Sequence, residues 1–310
     1  MHPHLVLPLR LADFDRRGFR TDRPEARAVL ERAASSFLRG YNAAARSAGV
    51  AELHDRLREF PDDCRGFGYE GAGMHAALAD LSRPWAARAV SDLARGRGQD
   101  YHYLIHVGAG WSLSLLRSAR VPRLPATPLL RWLALDGAGF GAVYFGGQRS
   151  LRRICAGRHD ARWRTRVAGA GRALWFVQAA DVAGIARLIG EQDPAAAPDL
   201  WAGVGLACAY AGPSDAADRA ALAEAAGRQL RWLRQGVLFG SAARDRAGIV
   251  PAHTRDACLD LVGIEVARAS SWAEQDCADL LQRREAAAYQ LWRDRLADRA
   301  VRRPAAEDVA

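Results

Sequence analysis

The chain has 310 residues, half of them hydrophobic and a quarter charged, so it can bury a large core and has the composition of an ordinary globular protein. Its formal net charge of +9 comes from arginine alone, since the sequence contains no lysine. The arginines are spread along the chain and form no basic stripe with interleaved aromatics, which argues against a nucleic-acid-binding protein.

Cysteine usage and hydrophobic run length predict the compartment. The five cysteines stand alone with no CxxC pair, which argues against a disulfide framework or a zinc site and favours a reducing environment. The start of the chain is too short for a signal peptide, and no apolar run reaches the roughly 18 residues of a membrane span. We therefore expect a cytoplasmic protein with no membrane span.

The first half of the chain predicts mainly helices separated by prolines. Residues 1–24, with three prolines, predict an irregular lead-in. The predicted helices, from the spacing of apolar residues and the positions of Pro61 and Pro84, are 25–48, 52–60, 70–81 and 84–93. Residues 101–107 predict either a strand or the start of a helix. Prolines 122, 125 and 128 predict a loop, and the apolar stretch 129–145 predicts a buried central helix ended by Gly146 and Gly147.

The second half carries helical patterning throughout. The predicted helices are 162–179, 182–189, 200–211, 215–226, 229–247, 252–267 and one long helix over 271–299. Residues 25–302 are therefore predicted to form a single all-α helical-repeat domain. Residues 303–310 are predicted to be a disordered tail.

A glycine-centred patch recurs along these helices. Its glycines are Gly40, Gly71, Gly108, Gly137, Gly169, Gly203 and Gly236, at steps of 31, 37, 29, 32, 34 and 33 residues. A period near 33 is typical of stacked helical hairpins, so we predict an α-solenoid or TPR-like array, either open or closed around a cavity. Glycine inside a helix costs roughly 1 kcal/mol relative to alanine, which indicates close helix–helix contacts or a cavity wall.

Several motifs resemble the DUF1702 family, bacterial proteins found around enediyne polyketide and related natural-product pathways. They are Arg65-Gly-Phe-Gly-Tyr-Glu-Gly-Ala72, His106-Val-Gly-Ala-Gly-Trp111, Leu135-Asp-Gly-Ala-Gly-Phe140, Arg172-Ala-Leu-Trp-Phe-Val177, Asp199-Leu-Trp-Ala-Gly-Val-Gly-Leu-Ala207, Gln235-Gly236 and His253-Thr254. The resemblance implies a role in secondary metabolism but supplies no reaction. Family members usually carry a tyrosine and a histidine where this chain has Ala138 and Gly141. If those two residues transfer protons in relatives, this chain lacks that step or does something different.

Two carboxylates are the first candidates for catalysis. Glu70 and Asp136 each precede a Gly-Ala-Gly patch, so stacking of the patches would turn both toward a common cavity. Burial would raise the pKa of either carboxyl and make it a general acid. The alternative is a helix N-cap or a buried salt bridge to Arg65 or Arg172.

His106 is a third acid–base candidate. With His102, four residues earlier, it would share a helix face that could bind a metal. We favour the alternative, in which both histidines are hydrogen-bonded at the start of a helix, and we predict neither a metal nor a cofactor.

The substrate-binding candidates flank the patches and combine aromatic and charged side chains. They are Arg65, Tyr69, Trp111, Arg172, Trp175, Asp199 and Trp201. Aromatic walls with a few acids suit an apolar, unsaturated substrate whose cationic intermediates are stabilised by ring faces. For the tryptophans, core packing is the alternative.

Two classes of function follow. The first is a pathway enzyme, such as a cyclase or isomerase, that acts by acid–base chemistry on an apolar polyene, polyketide or terpenoid-like intermediate. The second is a non-catalytic helical-repeat scaffold that binds a pathway protein or carrier. A closed, aromatic-lined cavity containing the carboxylates would favour the enzyme, and an open groove lined by polar side chains would favour the scaffold. The sequence leaves the oligomeric state open.

Overall fold

The structure is a computed structural model and describes residues 6–115 and 128–301. These residues are helical with no strand among them, as the glycine period predicts. In chain order the helices are α1 (Phe14–Arg17), α2 (Pro24–Arg46), α3 (Val50–Arg58), α4 (Asp62–Ser82), α5 (Ala89–Leu93), α6 (His102–Leu115), α7 (Leu133–Cys155), α8 (Ala161–Val177), α9 (Val182–Gly190), α10 (Ala197–Ala211), α11 (Ala216–Ala226), α12 (Leu230–Arg246), α13 (Ala252–Val262), α14 (Val266–Cys277) and α15 (Ala286–Arg299).

Seven long helices, which we call the inner helices, stand side by side in one row: α2, α4, α6, α7, α8, α10 and α12. The shorter helices α3, α5, α9 and α11 lie in the connections between them. Neighbouring inner helices run parallel, as two contacts between α8 and α10 illustrate. Near the starts of these helices Arg164 pairs with Asp199, and near their ends Trp175 donates a hydrogen bond to the Gly212 carbonyl. The hairpin repeat therefore places equivalent positions of successive inner helices on one surface.

The glycine patches are the contact points of this row and obey one rule at all six interfaces. In each pair of neighbouring patches, the first glycine of the later patch lies against the carbonyl of the residue three positions before the second glycine of the earlier patch. In return, that second glycine lies against the carbonyl of the residue three positions before the first glycine of the later patch. Between α4 and α6, for example, Gly108 meets the Glu70 carbonyl and Gly73 meets the Ile105 carbonyl. A Cβ at either position would clash with neighbouring backbone, so only glycine permits this approach.

The row curls until its end meets its beginning. Arg244, near the end of α12, donates hydrogen bonds to the carbonyls of Tyr210 on α10 and Asp63 at the start of α4. Helix α15 packs against α8 and α12 and contributes Trp292 and Arg293 to the interior. The curled row thus encloses a core that the C-terminal helices complete.

Several predicted boundaries differ from the structure. Of the two alternatives for residues 101–107, the helix start is the one observed, since a 3₁₀-helix (Gly96–Tyr101) continues directly into α6. The predicted lead-in contains a 3₁₀-helix (Leu9–Ala12) and α1, whose Phe14 is fully buried. The proposed helix 84–93 is only a 3₁₀ turn and the short α5. The proline loop around 122 and 125 and the tail 303–310 lie outside the described residues.

Two helices in the second half also depart from prediction, and a third is kinked. The helix that begins at Leu133 ends at Gly147, as predicted, because the Gly147 backbone is non-helical (φ 57°, ψ −152°); a second helical segment follows it to Cys155, so α7 is two helices joined at a kink. The predicted helix 252–267 ends at Val262, where Gly263 takes a positive φ. The long helix predicted over 271–299 is instead α14 and α15, folded back on each other. The Trp292 indole donates a hydrogen bond to the Ala273 carbonyl, and Arg299 pairs with Asp276.

Candidate active site

Two cavities lie inside the curled row, and both are mainly apolar. Cavity one is a narrow space walled by aromatic rings that include Phe37, Trp111 and Phe140. Cavity two lies nearer the C-terminal helices and is walled by Tyr103, Phe239, Tyr289 and Trp292, among others. Arg172, Leu206 and Tyr210 line both cavities and form the partition between them.

The repeat places the walls of cavity one. The residue directly after the second glycine of each patch faces this cavity, in five successive inner helices. These residues are Met74, Trp111, Phe140, Arg172 and Leu206. Their rings contact one another: Trp111 lies 4.8 Å from Phe140, centroid to centroid, and Phe37 lies 4.3 Å from Trp111. Leu7 and Leu11 of the N-terminal segment close one side.

At the partition, Arg172 stands between Glu70 and Asp136. Its Nη2 lies 2.7 Å from Asp136 Oδ1 and 3.8 Å from Glu70 Oε1. The two carboxylate oxygens are therefore no farther apart than the sum of those distances, about 6.5 Å. Glu70 faces cavity one and Asp136 faces cavity two. All three side chains are at least nine-tenths buried, so the two carboxylates share one buried guanidinium.

Burial decides the protonation of these carboxyls. It raises the pKa of Glu70, against the lowering effects of the Arg172 charge and of a 3.0 Å hydrogen bond donated by Trp111 Nε1. Burial likewise raises the pKa of Asp136, and the positive charges of Arg172 and Arg293 oppose it. A carboxyl that retains its proton in an apolar cavity can act as a general acid.

Asp199 belongs to a neighbouring buried ion-pair cluster. Its carboxylate pairs with Arg293 of α15 at 2.8 Å and with Arg164 at 3.2 Å. Asp199 lines neither cavity, and its partners are structural arginines. Asp199 therefore belongs to the same buried charge network as Arg172, but it does not lie next to Glu70 and Asp136.

His106 is buried beside this site and lines neither cavity. Its Nδ1 donates a hydrogen bond to the His102 carbonyl at 2.6 Å, in the tautomer that this contact favours, and burial lowers its pKa to about 4. The imidazole is therefore neutral at pH 7. His102 Nδ1 donates a hydrogen bond to the Gln99 carbonyl at 2.7 Å, so the Nδ1 atoms of both histidines are occupied by backbone carbonyls. In the described ranges, no three His, Cys, Asp or Glu side chains are grouped closely enough to hold a metal ion.

The remaining predicted binding residues lie elsewhere. Arg65 contacts Asp62 at 2.5 Å and the Phe60 carbonyl, so it fastens the turn before α4 and does not join Glu70. Tyr69 stacks on Tyr101 and shares a 2.9 Å hydrogen bond with His54. Trp175 and Trp201 are core residues that line neither cavity. Only Trp111 and Arg172 of the predicted binding set meet the carboxylates.

Most of the aromatic wall and all of the residues from α15 were not among the predicted site residues. Phe140 was visible, since it occupies the same position in its patch as Trp111 does in the preceding one. From this shared position in the patch, Phe140 could have been predicted to lie beside Trp111. For Tyr289, Trp292 and Arg293 the sequence offered none, because they reach the interior only through the fold-back of α15.

Comparison with known proteins agrees with the motifs. No curated protein and no solved structure matches the chain. No helix within residues 6–115 and 128–301 is both long and apolar enough to cross a membrane. A family model described as a protein of unknown function, DUF1702, matches residues 4–300. The chain therefore belongs to the DUF1702 family.

Proposed function

We propose that the protein is an acid–base enzyme of the cyclase or isomerase type, acting on an apolar, unsaturated intermediate of natural-product biosynthesis. One observation carries the proposal: Glu70 is a buried carboxyl with a raised pKa in a cavity whose other walls are almost entirely apolar and aromatic. Such cavities bind small molecules, and a carboxyl placed in one has little to act on except the ligand.

The chemistry needs only proton movement. Glu70 donates its proton to a double bond or a carbonyl of the substrate, and the faces of Trp111 and Phe140 stabilise the positive charge that develops. A proton then leaves another carbon and is taken by the Glu70 carboxylate, while Asp136 holds Arg172 in place. One proton enters and one leaves, so substrate and product are isomers and Glu70 is restored.

The scaffold interpretation predicts an open groove lined by polar side chains. The mainly apolar, ring-lined space around Glu70 favours the enzyme over that alternative. The natural-product context comes from the family resemblance, and the apolar walls agree with a polyene, polyketide or terpenoid-like intermediate.

The test is product formation by carboxylate variants. The chain is expressed with its neighbouring genes, and products are compared by mass spectrometry for wild type, Glu70→Gln and Asp136→Asn. Asp62→Asn, an exposed acid on the same helix as Glu70, is the matched control. We expect both site variants to lose the product while their circular dichroism spectra stay helical. Full product from both would favour the scaffold.

A further inference from the structure

We propose that the ligand carries a carbonyl oxygen part-way along an apolar chain, that Arg172 donates a hydrogen bond to this oxygen, and that the apolar segments on either side occupy cavity one and cavity two. This inference rests on the proposed function, since it names the class of molecule that the same site takes. A ketone, ester or amide has the required oxygen.

The position of Arg172 in the repeat is the first support. In five patches the residue directly after the second glycine lines cavity one. Arg172 is the charged residue at this position, and the other four are apolar: Met74, Trp111, Phe140 and Leu206. Packing alone would be served by another apolar residue there. The buried guanidinium pairs with Asp136 and Glu70, and it also brings N–H donors to the walls of both cavities.

The second support is hydrogen-bonding capacity that the protein leaves unused. Arg172 Nε makes no hydrogen bond to any described residue, and Nη2, although 2.7 Å from Asp136, lies outside hydrogen-bond geometry. The side chain is 8% exposed and lines both cavities. A buried donor without an acceptor is unfavourable, and a ligand oxygen at the partition would satisfy it.

The carboxyls beside Arg172 favour a neutral oxygen over a carboxylate. Glu70 and Asp136 lie 3.8 Å and 2.7 Å from its Nη2, and both are buried. A ligand carboxylate at Arg172 would add a third acidic group to this buried site, whereas a carbonyl accepts a hydrogen bond without adding a negative charge.

The location of Arg172 at the partition sets the position of the carbonyl. Arg172, Leu206 and Tyr210 line both cavities, so a molecule with one segment in each would cross this partition beside Arg172. A carbonyl at the end of a chain would leave one cavity without contacts. The geometry therefore favours a carbonyl within the chain.

Calorimetry tests the proposal by comparing the binding of three probes of equal chain length. The probes are a symmetrical long-chain ketone with its carbonyl at the middle, the corresponding alkane, and the corresponding terminal carboxylic acid. We expect wild type to bind the ketone about 10- to 100-fold more tightly than the alkane, the range for a hydrogen bond to a charged donor. Arg172→Met should remove most of that difference. Arg166→Met, on the same helix but lining neither cavity, should preserve it.

A second measurement separates loss of the Arg172 hydrogen bond from loss of the folded structure. With a ¹³C-labelled carbonyl, the infrared carbonyl band of the bound ketone should lie at lower frequency in wild type than in Arg172→Lys, which keeps the charge and lacks Nε. A ketone bound no more tightly than the alkane, a carboxylic acid bound most tightly, or an unchanged band in Arg172→Lys would each overturn the proposal. Tight ketone binding together with full product from Glu70→Gln would overturn the proposed function and leave the carbonyl site standing.

Discussion

At Glu70, opposing influences act on one carboxyl group. Removal from water favours the protonated form, while Arg172 and the Trp111 indole favour the ionised form. Burial prevails because the surrounding rings offer no other polar partner, and Arg172 divides its charge between two carboxylates. The acid–base hypothesis therefore depends on the apolar wall as much as on the carboxyl itself.

This raised pKa predicts a pH-dependent stability. The folded state binds the Glu70 proton more tightly than the unfolded state, so the stabilisation is present below the unfolded pKa near 4.5 and is lost as pH rises through the folded pKa. Glutamine has no proton to lose. The free energy of unfolding of Glu70→Gln relative to wild type should therefore increase with pH across that window, by up to about 1.4 kcal/mol per pH unit.

Urea denaturation at several pH values measures this difference. Asp62→Asn on the same helix, with its carboxyl exposed, provides the control and should show no comparable rise. A constant or falling difference for Glu70→Gln would mean that the buried carboxyl is ionised in the folded protein and is no general acid.

At the scale of the helix, glycine sets the distance between neighbours. Each inner interface uses two glycines in a reciprocal pair, so two backbones touch at a carbonyl on either side. Close Cα–H···O contacts of this kind add weak attraction and bring large interior side chains into one ring-lined space. The glycines therefore position the site while taking no part in its chemistry.

Gly108→Ala tests this role with the smallest possible side chain. Its methyl group would collide with the Glu70 carbonyl and push α4 and α6 apart, so we expect a loss of about 1–3 kcal/mol or more in unfolding free energy. Gly190→Ala, at the exposed end of α9 with no atom near its Cβ position, is the control. It should be neutral or slightly stabilising by helix propensity. Equal thermal midpoints for the two variants would remove the close-contact account.

The limits of sequence reasoning lie at this same scale. The glycine register predicted all-helical repeats because each glycine serves a local contact that recurs with a fixed period. The break between α14 and α15 was not predictable, since residues 278–285 contain neither glycine nor proline. Tertiary contacts of Trp292 and Arg299 with α14 outweigh local helix propensity there. Arg65 was predicted to lie in the site only because it is close to Gly71 in the sequence. In the structure, its position on the helix directs its side chain toward the turn before α4.

At the scale of the whole molecule, the C-terminal helices belong to the core. Trp292 of α15 is 2% exposed, contacts the Phe239 ring at 4.6 Å and walls cavity two. We expect Trp292→Ala to lower the unfolding free energy by about 3–5 kcal/mol, as for other buried tryptophans. The adjacent Leu291 is 43% exposed, so Leu291→Ala should change it by less than about 0.5 kcal/mol. Similar effects for the two in chemical denaturation would show that α15 is peripheral.

The central claim is that the enclosed interior holds an apolar small molecule, and native mass spectrometry of the protein purified after expression with its neighbouring genes tests it most directly. We predict a small-molecule adduct on wild type that persists in Ala220→Trp, an exposed position on α11. The adduct should be absent from Ala34→Trp, which fills cavity one from its rim. An adduct retained by Ala34→Trp, or no adduct on wild type in a strain that makes the pathway product, would contradict it.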